Sequence, residues 1–178
     1  MKNIVITGPP GIGKTTLVKK IINKLSTLQY PQKDVDGFYT EEVRNNNRRI
    51  GFDIVTLDGQ RAILARKGSN ELPGEMPTVG QYVVHLDDFE KLALPIFEKS
   101  KKLLVIDEIG KMELFSTRFE ERVKKVIESR DVKVIATVPI KGGSLVQQIK
   151  KNRDTKLITV NQDNRDCLLD EIVELFTK

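Results

Sequence analysis

The sequence of 178 residues has one cysteine, one histidine and no tryptophan. A lone Cys167 cannot close an intrachain disulfide, nor can it furnish the ligands of a cysteine-based metal site. His85 is the single histidine, which excludes a His-rich metal site and leaves a Ser-His-Asp triad only if His85 serves it. No apolar run approaches the ~20 residues of a membrane span. The N-terminus opens on a strand-like run that turns into glycines, unlike a secretory signal. The expected location is therefore cytoplasmic.

What the chain does have is charge. Lys and Arg number 30 against 25 Asp and Glu, a net of +5, beside 39% hydrophobic residues. This is the profile of a folded globular chain. At roughly 100–200 residues per domain, the length predicts one domain over residues 1–178. The basic excess is compatible with phosphate or nucleic-acid partners. The 20 lysines outnumber the 10 arginines and are scattered, as on a solvated surface.

Periodicity orders the chain. Lys2 to Thr7 reads as a short buried strand, and a helix from Lys14 to Leu28 carries Leu17, Val18, Ile21, Ile22, Leu25 and Leu28 at helical spacing. Residues 37–66 read as an antiparallel meander, with turns at Asn45-Asn46-Asn47 and at Asp58-Gly59, the latter a two-residue hairpin signal. Residues 67–81, rich in Gly and Pro, read as a loop. A helix over Asp87–Glu98 precedes the strand Leu103–Ile106. Thr117 with Glu120 predicts a capping box for the next helix. Val132–Val138 is a strand, Ser144–Lys151 a helix and Leu157–Val160 the last strand, with Asp163 or Asn164 expected to cap a final helix. Alternating strands and helices predict a three-layer α/β fold with a mainly parallel sheet and the meander added to it.

Gly8-Pro9-Pro10-Gly11-Ile12-Gly13-Lys14-Thr15 matches G-x-x-x-x-G-K-[ST] at every fixed position, after a strand and before a helix. Such a loop must turn successive backbone N–H groups inward around a phosphate, which needs glycine where side chains would clash. The helix that follows aims its dipole and free amides at the anion. Lys14 supplies a point charge for the β- and γ-phosphates, and the Thr15 hydroxyl an oxygen ligand for Mg²⁺.

Leu103–Ile106 runs into Asp107 and Glu108. A buried strand carries two free carboxylates only at its open end, which in phosphate-loop enzymes faces the γ-phosphate. Asp107 is then a Mg²⁺ ligand, and Glu108 is placed to polarise an attacking water. Asp107-Glu108-Ile109-Gly110 also fits D-x-x-G, a GTPase switch pattern. No Asn-Lys-x-Asp guanine reader follows it, so a guanine-specific switch is rejected.

Together with Phe38–Arg44 and Asn164-Arg165-Asp166, the segments Gly8–Thr16 and Asp107–Phe115 resemble the small P-loop nucleoside-triphosphatases of thermophilic bacteria and archaea. An animal relative of these is called cancer-related nucleoside-triphosphatase. The resemblance covers nearly the whole chain. It implies hydrolysis of ATP, GTP, CTP and UTP to the diphosphate and phosphate, slow and broad in base, and a core strand order of 5-1-4-3-2. It carries nucleotide-binding roles onto Gly8, Pro9, Pro10, Gly11, Ile12, Gly13, Lys14, Thr15 and Thr16, metal roles onto Thr15 and Asp107, and the water-activating role onto Glu108.

Other residues are candidates on position alone. Arg44, Lys111 and Arg165 could stabilise γ-phosphate charge, Lys111 with the best claim because it lies three residues after Glu108. Glu41 and Glu42 could join the metal shell or bind Lys111, or form an edge-strand ion pair. Asn164 follows the last core strand, where it could reach the base or cap a helix. Thr137 could sense the γ-phosphate, or be an ordinary β-branched strand residue. Cys167 is expected to be packed, and His85 to be structural. The basic turn Arg44–Arg49 reads as a solvated hairpin tip, with no aromatic interleaved for base stacking. The alternatives to hydrolysis are a small-molecule or nucleotide kinase, and a nucleotide-regulated nucleic-acid-binding module. The expected partners are nucleoside triphosphates bound by a monomer, with no membrane.

Overall fold

The apolar runs Ile4–Ile6, Leu103–Ile106 and Val134–Ala136 are buried throughout, as strands must be when both faces of their sheet are covered. A computed structural model describes residues 2–28, 34–68, 76–99 and 101–177. Its elements in chain order are β1 (Asn3–Thr7), α1 (Lys14–Thr27), β2 (Val35–Asn45), β3 (Arg48–Thr56), β4 (Arg61–Lys67), β5 (Thr78–Val79), β6 (Tyr82–Val84), α2 (Leu86–Ala93), β7 (Leu103–Asp107), α3 (Thr117–Glu128), β8 (Lys133–Val138), α4 (Ser144–Lys151), β9 (Thr155–Thr159) and α5 (Leu168–Thr177).

The strands form one sheet in the order β5-β6-β4-β3-β2-β7-β8-β1-β9. From β2 to β9 the neighbours are parallel. From β2 to β5 they are antiparallel. The sheet is therefore mixed: a parallel part with the antiparallel meander added to it, as the sequence predicts, but with β6 and β5 the antiparallel half is as large as the parallel one rather than a minor addition. The two halves meet in β2, whose 11 residues serve both. Val35–Tyr39 pairs in parallel with Leu103–Asp107, while Phe38–Asn45 pairs antiparallel with β3. The strands meet closely here: a Cβ on Gly37 would stand 2.0 Å from the Val105 carbonyl oxygen.

Helices cover both faces. On one, α1 and α5 bury Leu17, Val18, Ile21, Ile172 and Phe176 against Ile4, Ile6 and Val105. On the other, α2, α3 and α4 pack on Phe38, Ile54 and Ile106. Phe38, Phe89 and Phe119 form an aromatic cluster there, with ring centroids 5.1–6.0 Å apart. No helix among the described residues is long and apolar enough to cross a membrane.

Several boundaries differ from the sequence expectation for local reasons. The stretch 67–81 is not all loop, because Lys67 ends β4 and Thr78–Val79 pairs with β6; residues 69–75 lie outside the described ones. The β3–β4 connection is four residues rather than two, since the Thr56 hydroxyl and backbone close it on Asp58, Gly59 and Gln60. The β2–β3 turn is the two-residue one: Asn46 and Asn47 both adopt positive φ, as a type I′ turn requires. Helix α2 gives way at Ala93 to a 3₁₀ segment, Leu94–Glu98, because Pro95 cannot donate an i→i−4 bond. Ser116, not Thr117, caps α3, accepting the Phe119 amide at 3.0 Å, and Glu120 pairs with Lys124. Asn164 closes a turn by accepting the Asn161 amide and donating to the Thr159 carbonyl, four residues before α5 begins. Cys167, expected inside, is exposed.

Candidate functional site

The parallel strands β1, β7 and β8 all point the same way, so the segments leaving their C-terminal ends gather at one edge of the sheet. β1 delivers Gly8–Thr16, β7 delivers Asp107 and Glu108, and β8 delivers Pro139–Lys141. These enclose one cleft of about 890 Å³. Its lining includes Gly8, Pro10, Gly11, Gly13, Lys14, Thr15, Thr16, Asp107 and Glu108. The sequence-distant halves of the expected site thus come together.

The glycine loop is held open by its own geometry. Gly13 stands before α1 in a left-handed conformation with φ 108, where a side chain would be strained. No side chain caps α1, and its first turn carries no acid. The first-turn amides and the positive end of the helix dipole are left to an external anion. Lys14 Nζ donates to the carbonyls of Gly8 (3.0 Å) and Pro9 (3.2 Å), which lays its ammonium across the loop. On the far side Gly8 is pressed against β9: a Cβ there would stand 2.7 Å from the Val160 carbonyl oxygen.

Asp107 is buried, with 1% of its surface exposed. The Thr137 hydroxyl donates to Oδ1, while Oδ2 has no partner. The Thr40 hydroxyl donates to its carbonyl at 2.7 Å. Burial pushes the Asp107 pKa up, against the hydrogen bond from Thr137, the nearby Thr15 hydroxyl and the charge of Lys14. Burial also raises Glu108, which Lys14 pulls down and Asp107 pushes up. Ile109 anchors this turn by donating its amide to the Thr137 carbonyl at 2.9 Å.

The residues present fit a divalent cation of the Mg²⁺ type. Asp107 Oδ2 is a buried carboxylate oxygen without a donor, and the Thr15 hydroxyl faces the same carboxylate. No cluster of three or more His, Cys, Asp or Glu among the described residues could enclose an ion alone. That suits Mg²⁺, which takes one or two protein ligands and completes its shell with water and phosphate oxygens.

Other candidates fall elsewhere. Lys111 is exposed and does not line the cleft. Asn164 is engaged in its turn, and Arg165 is exposed beside Asp166. Glu41 and Glu42 do line the cleft, but as ion pairs: Glu41 with Lys19 (2.6 Å) and Arg61, Glu42 with Arg44 (2.8 Å) and Arg49. These pairs hold both carboxyls below their ordinary pKa. They also compensate Arg44 and Arg49 of the basic turn.

Sequence reasoning missed Lys19, Arg49, Phe52 and Pro139–Lys141 as lining. The last group was accessible, because a segment leaving the C-terminal end of a parallel strand belongs at the ligand edge. Phe52 arrives through its cross-strand pairing with Glu42, a register no local pattern encodes.

A family model described as NTPase matches residues 3–173. The chain belongs to this NTPase family. A mouse protein called cancer-related nucleoside-triphosphatase homolog is 46% identical over 97% of this chain and 95% of its own length. The nucleoside-triphosphatase THEP1 of Thermotoga maritima is 43% identical over 97% of the chain and 94% of its own. The crystal structure of THEP1 from Aquifex aeolicus superposes with a TM-score of 0.85 at 39% identity, covering 99% of both chains. The family thus spans animal and thermophile members, and its fold is the mixed α/β architecture described above.

Proposed function

We propose that this NTPase hydrolyses nucleoside triphosphates, ATP, GTP, CTP and UTP alike, to the diphosphate and phosphate with Mg²⁺, as one P-loop domain over 1–178. The observation that carries the reading is the convergence of the uncapped glycine loop and the Asp107–Glu108 pair on one cleft. The loop amides and Lys14 bind the phosphate chain and stabilise charge on its β- and γ-oxygens. Thr15 and Asp107 would hold Mg²⁺, which when bound neutralises charge on those oxygens. Glu108 orients a water toward the γ-phosphorus and accepts its proton. The new P–O bond forms as the bond to the bridging oxygen breaks, and the diphosphate leaves with the electron pair. Thr137 fixes the Asp107 carboxylate, so the metal ligand is set before substrate arrives.

A second reading, phosphoryl transfer to a small acceptor, draws support from the cleft continuing past Glu108 to Arg49 and Phe52. Phosphate release from the four triphosphates with Mg²⁺ and no acceptor, for wild type and Glu108→Gln, separates the two. Hydrolysis predicts release from all four, lowered about 10²–10⁴-fold by the substitution with nucleotide binding retained. Absence of release from wild type refutes it.

A further inference from the structure

The segment after Glu108 folds around a second buried acid that the mechanism leaves unused. Glu113 is 4% exposed, in a 3₁₀ turn over Glu113–Phe115. Its Oε2 accepts the Gly110 amide at 3.2 Å, and the Leu114 amide returns to the Gly110 carbonyl at 3.0 Å. A methyl group on Gly110 would stand 3.0 Å from Glu113 Oε2 and 3.4 Å from both Cγ and Cδ of Glu108. The two glutamates therefore flank one point, and a side chain at Gly110 would crowd the Glu113 carboxyl that accepts its amide. Ser116, which closes the turn by donating its amide to the Glu113 carbonyl, also caps α3. The turn is thereby fastened to the helix layer.

We propose that Glu113 is a positioning residue for Glu108, its buried carboxyl fixing the Glu108–Gly110 turn and the direction in which Glu108 enters the cleft. This rests on the reading of Glu108 as the water-orienting base. A group buried this far from water is an expensive place for a charge, and a Leu or Met would fill the space without that cost. A carboxyl there has one evident use: it accepts a main-chain amide that would otherwise be unsatisfied at the hinge of the catalytic turn. Burial, and then the charges of Glu108 and Asp107, push its pKa up to about 8. The other charged groups about this turn are Lys14 of the glycine loop, which faces Asp107 and Glu108, and Glu90 of α2, which accepts from Ser116 and pairs with Arg118. Below about pH 8, Glu113 is a neutral spacer beside Glu108. Above it, two adjacent carboxylates repel and the turn loses its geometry.

Three variants test this. Glu113→Ala removes the acceptor and is expected to lower kcat by about 10–100-fold, the effect of a misplaced catalytic group, with KM for the triphosphate within about twofold. Glu113→Gln keeps an acceptor for Gly110 without a titrating proton. It should recover most of what Glu113→Ala loses and abolish the fall of wild-type kcat above about pH 8. A readout independent of activity follows the Glu113 carboxyl by ¹³C NMR of glutamate-labelled protein. Its midpoint should lie near 8 in wild type and move down in Glu108→Gln. An unmoved midpoint overturns the proposal even if the protein hydrolyses nothing. Retained kcat in Glu113→Ala, or an unchanged alkaline limb in Glu113→Gln, overturns it with the hydrolase reading intact.

Discussion

Replacing Glu113 by Gln should remove a dependence of stability on pH that runs opposite to the familiar one. Most native carboxyls are stabilised as anions, so proteins lose stability in acid. Glu113 goes the other way. Its pKa rises from 4.5 unfolded to about 8 folded, so between those values the native state holds a proton that the unfolded chain has released. Stability from this group is fully present below about pH 4.5. It declines as pH rises and is lost by about pH 8, at up to ~1.4 kcal/mol per pH unit. Across the window the native state gives up about 3–5 kcal/mol, a large share of the 5–15 kcal/mol typical of a domain.

The assay is urea unfolding of wild type and Glu113→Gln from about pH 5 to about pH 8.5, read as the difference between the two. Gln adds an N–H with no partner, which contributes an offset at every pH; the slope is the observable. The variant should gain on wild type by about 3–5 kcal/mol from the acid to the alkaline end. Asp107 and Glu108 are raised as well; both chains keep them, so their own burial cancels in the difference and what is left is Glu113 together with its coupling to them. A difference flat to within about 0.5 kcal/mol would mean that the folded state ionises Glu113 as readily as water does, and the burial argument would fail.

Three further outcomes are expected. Ser116→Ala should cost about 1 kcal/mol and lower Tm by about 2–4 °C, whereas Thr117→Ala stays within about 0.5 kcal/mol; the reverse ranking would return the cap of α3 to Thr117. Gly37→Ala should destabilise by about 4 kcal/mol or more, because its Cβ would fall on the Val105 backbone where β2 meets β7, and a near-neutral urea midpoint would refute that close approach. Thr137→Val removes the hydroxyl on Asp107 and should raise the Mg²⁺ concentration for half-maximal turnover about 10–100-fold with the melting temperature kept; an unchanged metal titration would show that Asp107 needs no such support.

The legible parts of the sequence were those in which local chemistry forces one solution. The glycine loop had to follow a strand and precede a helix, and Asp107 with Glu108 had to lie at the open end of a buried strand. Both conditions are stated within about ten residues of chain. The double duty of β2 was not legible in that way, since alternation along Val35–Asn45 fixes a strand but not its partners. Capping failed for a related reason. Thr117 and Glu120 match a capping box as well as Ser116 with Phe119 matches a cap, and the choice is made by Ser116 also meeting Glu90 on α2, across the fold. Lys111 had a short sequence distance to Glu108 in its favour, but the turn built on Gly110 and Glu113 carries it out to solvent.

The charges around the cleft explain why a chain with so many basic residues brings so few of them to bear on the phosphate end. Lys19 and Arg49 both line the cleft, yet each is held by a carboxylate of β2, Lys19 by Glu41 and Arg49 by Glu42. Arg61 is held twice, by Glu41 and by Asp53, and Arg66 again by Asp53. The meander thus neutralises Arg44, Arg49, Arg61 and Arg66 within the sheet, and the cation whose field reaches both Asp107 and Glu108 is Lys14. Lys141 also lines the cleft, but among the described residues the one ammonium whose charge acts on both carboxyls is Lys14, which leaves the carboxylate pair short of positive charge. An anionic phosphate chain would approach it readily only with a divalent cation to restore the balance. That charge count, with the unpartnered Asp107 Oδ2, supports the proposal of Mg²⁺ as the accompanying cation. Among the described residues the one arginine lining the cleft, Arg49, is tied to Glu42, so the proposed hydrolysis rests on Lys14, the loop amides and a metal, without the arginine that accelerates other triphosphatases.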